Sequence, residues 1–373
     1  MNKDKILNHF SDLLDSQIER AENLSKNKKA HNKDNQIIIG LVDGDGIGPI
    51  ILESAKDIIN YLLEDEINSK KVVIKEINGL TIENRTKLNK AVPNDVLEEI
   101  KKCDVLLKGP TTTPKGGTLE SANVALRREL DLYANIRPVK IPEKNIDWTF
   151  FRENTEGEYV LGSKGFDIPG LLAMDFKVIT VEGTRRIAKS AFEYAKKNGK
   201  NHVTVVTKAN IMKKTDGLFS EICHEVAKDY QNIDIDEYYV DIISAHLIDP
   251  EMQSKFQVFI APNLYGDIIT DEAAQLQGGV STAGSINAGD DYAMFEAIHG
   301  SAPRLFDEGI EDYASPASIL RALALLLNHI GLSNKANALN LALDKKLSVK
   351  ENIKCKEFTK DLINILDKYI EGR

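Results

Sequence analysis

Asp267 and Asp271, in the stretch NLYGDIITDE (263–272), are two carboxylates whose spacing suggests chemistry. Four residues apart on a helix, they share one face with Cβ atoms roughly 5–6 Å apart. Carboxylates held that close repel each other unless a cation lies between them. Hard oxygen donors of this kind suit Mg²⁺ or Mn²⁺, completed by substrate oxygens. An acidic first turn that complements the helix dipole has the same spacing. Spacing alone leaves both readings open. Asp241, upstream, is a further carboxylate that could join such a site.

A second group lies in KGPTTTPKGGTLESANVALRRELDLYANIRP, 108–138, where Arg127, Arg128 and Arg137 follow the hydroxyl of Ser121 and the amide of Asn123. On a helix, Asn123 and Arg127 share a face. Guanidinium groups pair with carboxylates through two parallel bonds, so several arginines in one segment suit a polycarboxylate substrate. The competing reading is a solvated basic face paired with Glu129 and Asp131. The third group is RENTEGEY, 152–159, taken with VTKANIMKKTDGLF from Val206 onwards. A buried lysine can act as a base and a nearby tyrosine as an acid. Lys208 stands at the end of an apolar run and before a helical pattern, where open α/β sheets carry catalytic residues. A lysine at a strand end is also commonly plain surface.

These groups need elements to hold them. The apolar run 256–260 reads as a buried strand, with Pro262 and Gly266 breaking the chain and Asp267 opening a helix. Strand patterns at 37–42, 72–77, 104–108, 148–152, 202–207 and 233–240 alternate with helical patterns at 94–102, 185–198 and 216–228. That rhythm predicts an α/β protein with helix-covered strands. The strongly apolar 316–330 reads as a core helix, and 292–300 as a strand or loop leading into HGSAP. DGDGIGP after the first strand has GxGxG spacing rather than the dinucleotide-binding GxGxxG, so a plain turn is the simpler reading. In 1–35, Ile6, Leu7, Phe10, Leu13, Leu14 and Ile18 recur at helical spacing, and the polar stretch 25–36 reads as a linker.

Composition narrows the classes. The 373 residues are 42% apolar and 28% charged, ordinary for a globular protein of one large domain or two. A formal charge of −9 without a basic stripe gives nucleic-acid binding no electrostatic support. Cys103, Cys223 and Cys355 lie far apart, with neither metal-ligand spacing nor an even count, which fits a reducing cytoplasm. The best apolar run, 319–327, is too short for a membrane span and carries Arg321.

Taken together, GDGIGP, KGPTTTP, SANVALRRELDLYANIRP, RENTEGEY, KANIMKKTDGLF, PNLYGDIITDE and HGSAP make residues 36–332 resemble the β-decarboxylating dehydrogenases, the isocitrate/isopropylmalate/homoisocitrate family. The resemblance implies a two-domain α/β fold with the active site in the cleft between domains. A large cofactor-binding domain would comprise 36–132 and 282–373. A small domain, 133–281, would carry the metal site and dimer interface. It implies that Arg127, Arg137 and Arg152 clamp substrate carboxylates, that Asp267 and Asp271 hold Mg²⁺ or Mn²⁺, and that Asp241 joins them from another subunit. Lys208, also from the other subunit, would take the hydroxyl proton and Tyr159 would protonate the enol. Thr113, Asn210, Glu296, His299 and the loop Gly300, Ser301, Ala302 and Pro303 would contact NAD or NADP. A homodimer or higher oligomer with shared sites follows.

Ser121 and Asn123 resemble the isocitrate-using branch, since a third carboxylate wants hydroxyl and amide donors. That implies metal-dependent oxidative decarboxylation of isocitrate to 2-oxoglutarate, a step of the tricarboxylic acid cycle. Homoisocitrate or 3-isopropylmalate are the alternative substrates, and a non-catalytic regulatory subunit is the alternative of another class. Arg304 and Ser315 depart from the family's usual residues, so NAD against NADP stays open. Arg304 would either read a 2′-phosphate or pair with Asp307 or Glu308.

Overall fold

The computed structural model describes residues 3–24, 36–113, 119–279, 283–349 and 351–370. The linker expected at 25–36 lies almost wholly outside them, as do 114–118 of the Gly-rich motif and 280–282 at the expected domain boundary. The chain forms two compact units, one of residues 1–30 and 133–273, the other of 31–132 and 274–373. In chain order the first strands are β1 (Ile37–Val42), β2 (Val72–Glu76), β3 (Val105–Lys108), β4 (Ala134–Ile141), β5 (Ile146–Glu153) and β6 (Phe166–Ile168). They continue with β7 (Leu172–Met174), β8 (His202–Thr207), β9 (Asp234–Tyr239), β10 (Val258–Ala261), β11 (Gly284–Ala288) and β12 (Ala293–Ala297).

Unit 31–132/274–373 carries strands in the order β2-β1-β3-β12-β11, parallel except for β11 against β12. Helices cover both faces. The Ala317–His329 helix has nine buried residues, Leu320, Leu323 and Leu327 among them, and packs along β3, β11 and β12. The expectation of a core helix there is met. On the opposite face Leu106 and Met294 join Ala122, Ala125 and Leu126 of the Ala122–Glu129 helix. DGDGIGP is a turn that runs into the Gly48–Leu62 helix. Gly44 and Gly46 have positive φ, and a Cβ on Gly46 would lie 2.1 Å from the Ser301 carbonyl oxygen.

Unit 1–30/133–273 carries the order β4-β5-β10-β8-β9, antiparallel at β4–β5 and parallel elsewhere. β6 and β7 form a separate exposed hairpin. The Val181–Lys197 helix buries Ile187, Ala191 and Phe192 against Phe151, Val205 and Ile260 of the sheet. The N-terminal segment is helical over Lys3–Leu24 and belongs to this unit, but only Leu13 of its apolar stripe is buried. Leu7, Phe10, Leu14 and Ile18 stay about half exposed. No described helix is long and apolar enough to cross a membrane.

The helix expected to open at Asp267 begins instead at Asn263 and runs to Leu276. Pro262 precedes it, as a helix start tolerates, and Gly266 continues the helix rather than breaking it. A Cβ on Gly266 would lie 2.6 Å from Cγ of Arg152. The missing side chain is space for that arginine, which is why a glycine stands within a helix.

Candidate active site

The C-terminal end of β5 delivers Arg152 to the Asn263–Leu276 helix, where it is buried to 1% exposure. Its Nε and Nη2 donate to Asn263 Oδ1 at 2.9 and 2.6 Å, and Nη1 donates to Asp267. Arg137, from the neighbouring strand β4, is also buried. Its Nη1 donates to Asp271 at 2.7 Å and its Nη2 stands 3.6 Å from Asp267. One guanidinium therefore spans both aspartates, which places their carboxylates on one face. Tyr159 donates its hydroxyl to Asp267 Oδ2 at 3.0 Å, and the Arg152 guanidinium carbon lies 5.3 Å from its ring centre. Two buried cations, two half-exposed carboxylates and one phenol thus share a site.

Lys208 follows β8, its backbone N–H donating to the buried carboxylate of Asp216 at 2.7 Å. Its ammonium donates to Asp241, in the first turn of the Val240–Ile248 helix. That bond holds the Asp241 carboxyl below the usual carboxylate range. Asn210 is exposed in the turn just beyond. Asp241 does not come together with Asp267 and Asp271: among the described residues, no three His, Cys, Asp or Glu side chains gather as a metal site within one chain.

In the other unit, Lys108 at the end of β3 is wholly buried and lies 3.3 Å from Glu296 of β12. Glu296 also faces Arg127 at 3.5 Å and accepts from Asn287 at 2.7 Å. Burial pushes Lys108 down, with Glu296 opposing. Burial likewise opposes ionisation of Glu296, yet Lys108 and Arg127 hold its carboxyl below the usual range. Glu296, expected as a cofactor contact, also serves as counter-ion to two basic groups. The basic helix face splits between both readings made from sequence: Arg127 is buried, whereas Arg128 is solvated and paired with Glu120 and Glu129.

Ser121 occupies the N-cap of the Ala122–Glu129 helix without making a cap bond. Asn123 accepts at Oδ1 from Thr111 at 3.1 Å, which turns its two amide donors away from that threonine. Buried Arg85 fastens the segment by donating to the carbonyls of Ala91, Thr112 and Glu120. Asp45 accepts from the Thr112 N–H at 2.7 Å, and Thr112 meets Ser301 hydroxyl to hydroxyl at 2.8 Å. Thr113 next to them is exposed.

His299 and Gly300 lead into Ala302, which has φ 47° at the N-cap of the Pro303–Asp307 helix. Burial lowers the His299 pKa, so its ring is neutral at neutral pH. Arg304 is 80% exposed and pairs with Glu308 at 3.2 Å. Ser315 accepts from the Ala317 N–H at 3.4 Å, outside the core helix.

Sequence reading passed over Lys108, Asn287, Asn263 and Glu156. Lys108 stands at the C-terminal end of a parallel strand, the same signal that singled out Lys208. Asn263 and Glu156 gave no signal, because their work is to hold Arg152 and the loop after it.

Residues 38–371 match the family model described as isocitrate/isopropylmalate dehydrogenase. The homoisocitrate dehydrogenase of Methanocaldococcus jannaschii is 37% identical over 359 residues, covering 89% of this chain and 98% of that protein. The NADP isocitrate dehydrogenase of Rickettsia bellii is 38% identical over 319 residues, covering 83% of this chain and 63% of that longer protein. A crystal structure of isocitrate dehydrogenase from Methylococcus capsulatus superposes with a TM-score of 0.79 at 32% identity, covering 89% of this chain and 99% of that one. A 3-isopropylmalate dehydrogenase, at 36% identity, is equally near.

Proposed function

The chain belongs to the isocitrate/isopropylmalate dehydrogenase family, and from that membership we propose that it oxidatively decarboxylates isocitrate to 2-oxoglutarate and CO₂. The observation that carries the reading is the pair of buried arginines, Arg137 and Arg152, converging on Asp267 and Asp271. Arginines stay charged at any working pH, so buried ones are a permanent anchor for substrate carboxylates. Asp267 and Asp271 present hard oxygens at a half-exposed edge, a donor set that fits Mg²⁺ or Mn²⁺ once substrate oxygens complete it. A cation held there supplies Lewis acidity beside the substrate. NAD or NADP supplies the hydride acceptor, and Thr113, Asn210, Glu296, His299, the Gly300–Pro303 loop and Ser315 are the residues assigned to it.

This chain's own groups hold and move protons. Lys208 is assigned to receive the substrate hydroxyl proton, and Tyr159 to return one to the carbon that has lost its carboxylate. Lys208 and Asp241 form a cluster of their own, which supports their acting on the site of a partner subunit. Ser121 and Asn123 favour isocitrate: an uncommitted hydroxyl and two amide donors suit a third carboxylate, whereas 3-isopropylmalate would set an isopropyl group against them. A pocket built to hydrogen-bond a polar group rejects an analogue lacking it by roughly 10⁴–10⁵. Initial rates with isocitrate, homoisocitrate and 3-isopropylmalate, each with NAD and NADP and Mg²⁺, test the assignment. Isocitrate should give the highest kcat/KM; a higher value for either rival overturns it.

A further inference from the structure

The Lys3–Leu24 helix lies outside the segment that matches the family model, yet it reaches the substrate-binding machinery. It is seated on its unit by Leu13, by the Phe10 and Phe176 rings 5.6 Å apart, and by His9 at 2.7 Å from the Lys164 carbonyl oxygen. Near its end Arg20, braced by Gln17 Oε1 at 2.8 Å, donates from Nη2 to Glu156 Oε1 at 3.0 Å. Glu156 is fully buried and sits in the loop joining Arg152 to Tyr159.

We propose that Arg20 is a positioning residue for Arg152, acting through Glu156 and Asn263. The connection is continuous. The Glu156 carboxylate is fixed by Arg20 and by the N–H and hydroxyl of Thr180 at 2.8 and 2.5 Å. Its backbone carbonyl accepts from Asn263 Nδ2 at 3.0 Å, which leaves Asn263 Oδ1 turned to Arg152. Glu156, Asn263 and Arg152 are all buried, so none can drift into water without the others. A second carboxylate, Glu153, is buried three residues away and repels Glu156. Arg186 opposes that repulsion on the Glu153 side, and on the Glu156 side the N-terminal helix brings Arg20 as the paired cation.

The inference rests on the substrate role proposed for Arg152. In the full-length protein, Arg20→Ala should raise the KM for isocitrate about fivefold, the size expected for a coupled position, and leave the KM for the dinucleotide unchanged. Arg20→Lys keeps the charge and should restore the isocitrate KM to within about twofold. In a Glu156→Gln background, Arg20→Ala should add nothing, since its route is gone. An unchanged isocitrate KM, an equal rise for both substrates, or a fully additive effect in the Glu156→Gln background would each overturn it. If Arg20→Ala fails to fold, Arg20→Gln, which retains a donor, is read by the same criteria. Failure of the parent protein to turn over any of the three substrates would instead overturn the function itself, and this inference with it.

Discussion

Asp267 shows how a residue's surroundings reverse an argument made from its spacing. Two like charges four residues apart should repel, so removing one should relieve the protein. In the structure Asp267 is instead a counter-ion to Arg152 and sits near Arg137. Asp267→Asn should therefore lower stability without cation, by about 1 kcal/mol given its half-exposed edge. Thermal melts in chelator check this; a gain in stability would restore the repulsion argument. Arg304 pairs with Glu308 in an exposed i,i+4 contact worth about 0.3–0.5 kcal/mol, and we propose that this is its role. Arg304→Ala should leave the KM for NAD and for NADP each within about twofold. A rise confined to NADP would assign the arginine to the 2′-phosphate. Glu153 carries a pH signature, since burial and then Glu156 raise its carboxyl from 4.5 to about 7. A raised carboxyl favours folding only while protonated, so its cost appears above 4.5, grows until about 7 and stays constant beyond. Glu153→Gln, which keeps one acceptor oxygen, should raise the melting temperature more near pH 8 than near pH 4.5. An equal or larger gain at the acid end contradicts that cause. The Arg304–Glu308 pair was one of two readings open from sequence, whereas the signs at Asp267 and Glu153 were not legible, because each depends on who stands opposite.

At the scale of elements, the alternation of apolar strands and helical patterns was readable, and β1 and β8 fall on the residues expected. Strong alternation with β-branched residues leaves little choice of state. β4 was missed: ANIRPVKI carries a proline and two charges, and it is a strand because it lies along β5 for eight residues. The exposed hairpin of β6 and β7 has no buried face to print a pattern. The start of the Asn263–Leu276 helix was misplaced because a glycine reads as a breaker when its neighbour in space is unknown. Gly266→Ala tests that account. At an open helix position the change would stabilise by about 1 kcal/mol. Here the new Cβ meets Arg152 Cγ at 2.6 Å and Cβ at 2.7 Å, so a net loss of about 1–3 kcal/mol is expected, with a raised isocitrate KM. Stabilisation with unchanged KM would show that Arg152 has room to move.

For the whole molecule, the family motifs told more than local patterns could, because their joint occurrence in order points to the family that residues 38–371 match. They could not disclose how the N-terminal helix is seated, and of its apolar stripe only Leu13 is buried. They implied that Asp241 and Lys208 join the other aspartates from a second subunit, and in one chain these two residues pair with each other. If Lys208 serves a partner's site, Lys208→Met and Arg127→Ala proteins should each be inactive. Mixed and reassembled, they should regain activity, because one of the two sites in a heterodimer then carries neither lesion. No recovery after demonstrated subunit exchange would place the site within one chain. The most direct test of the central claim is a single comparison of the parent protein with Asp267→Asn. Reduced dinucleotide and CO₂ are measured together from isocitrate with Mg²⁺. The account predicts equal yields of both from the parent protein, abolished by chelator, and neither from the variant. Undiminished yields from Asp267→Asn would contradict it.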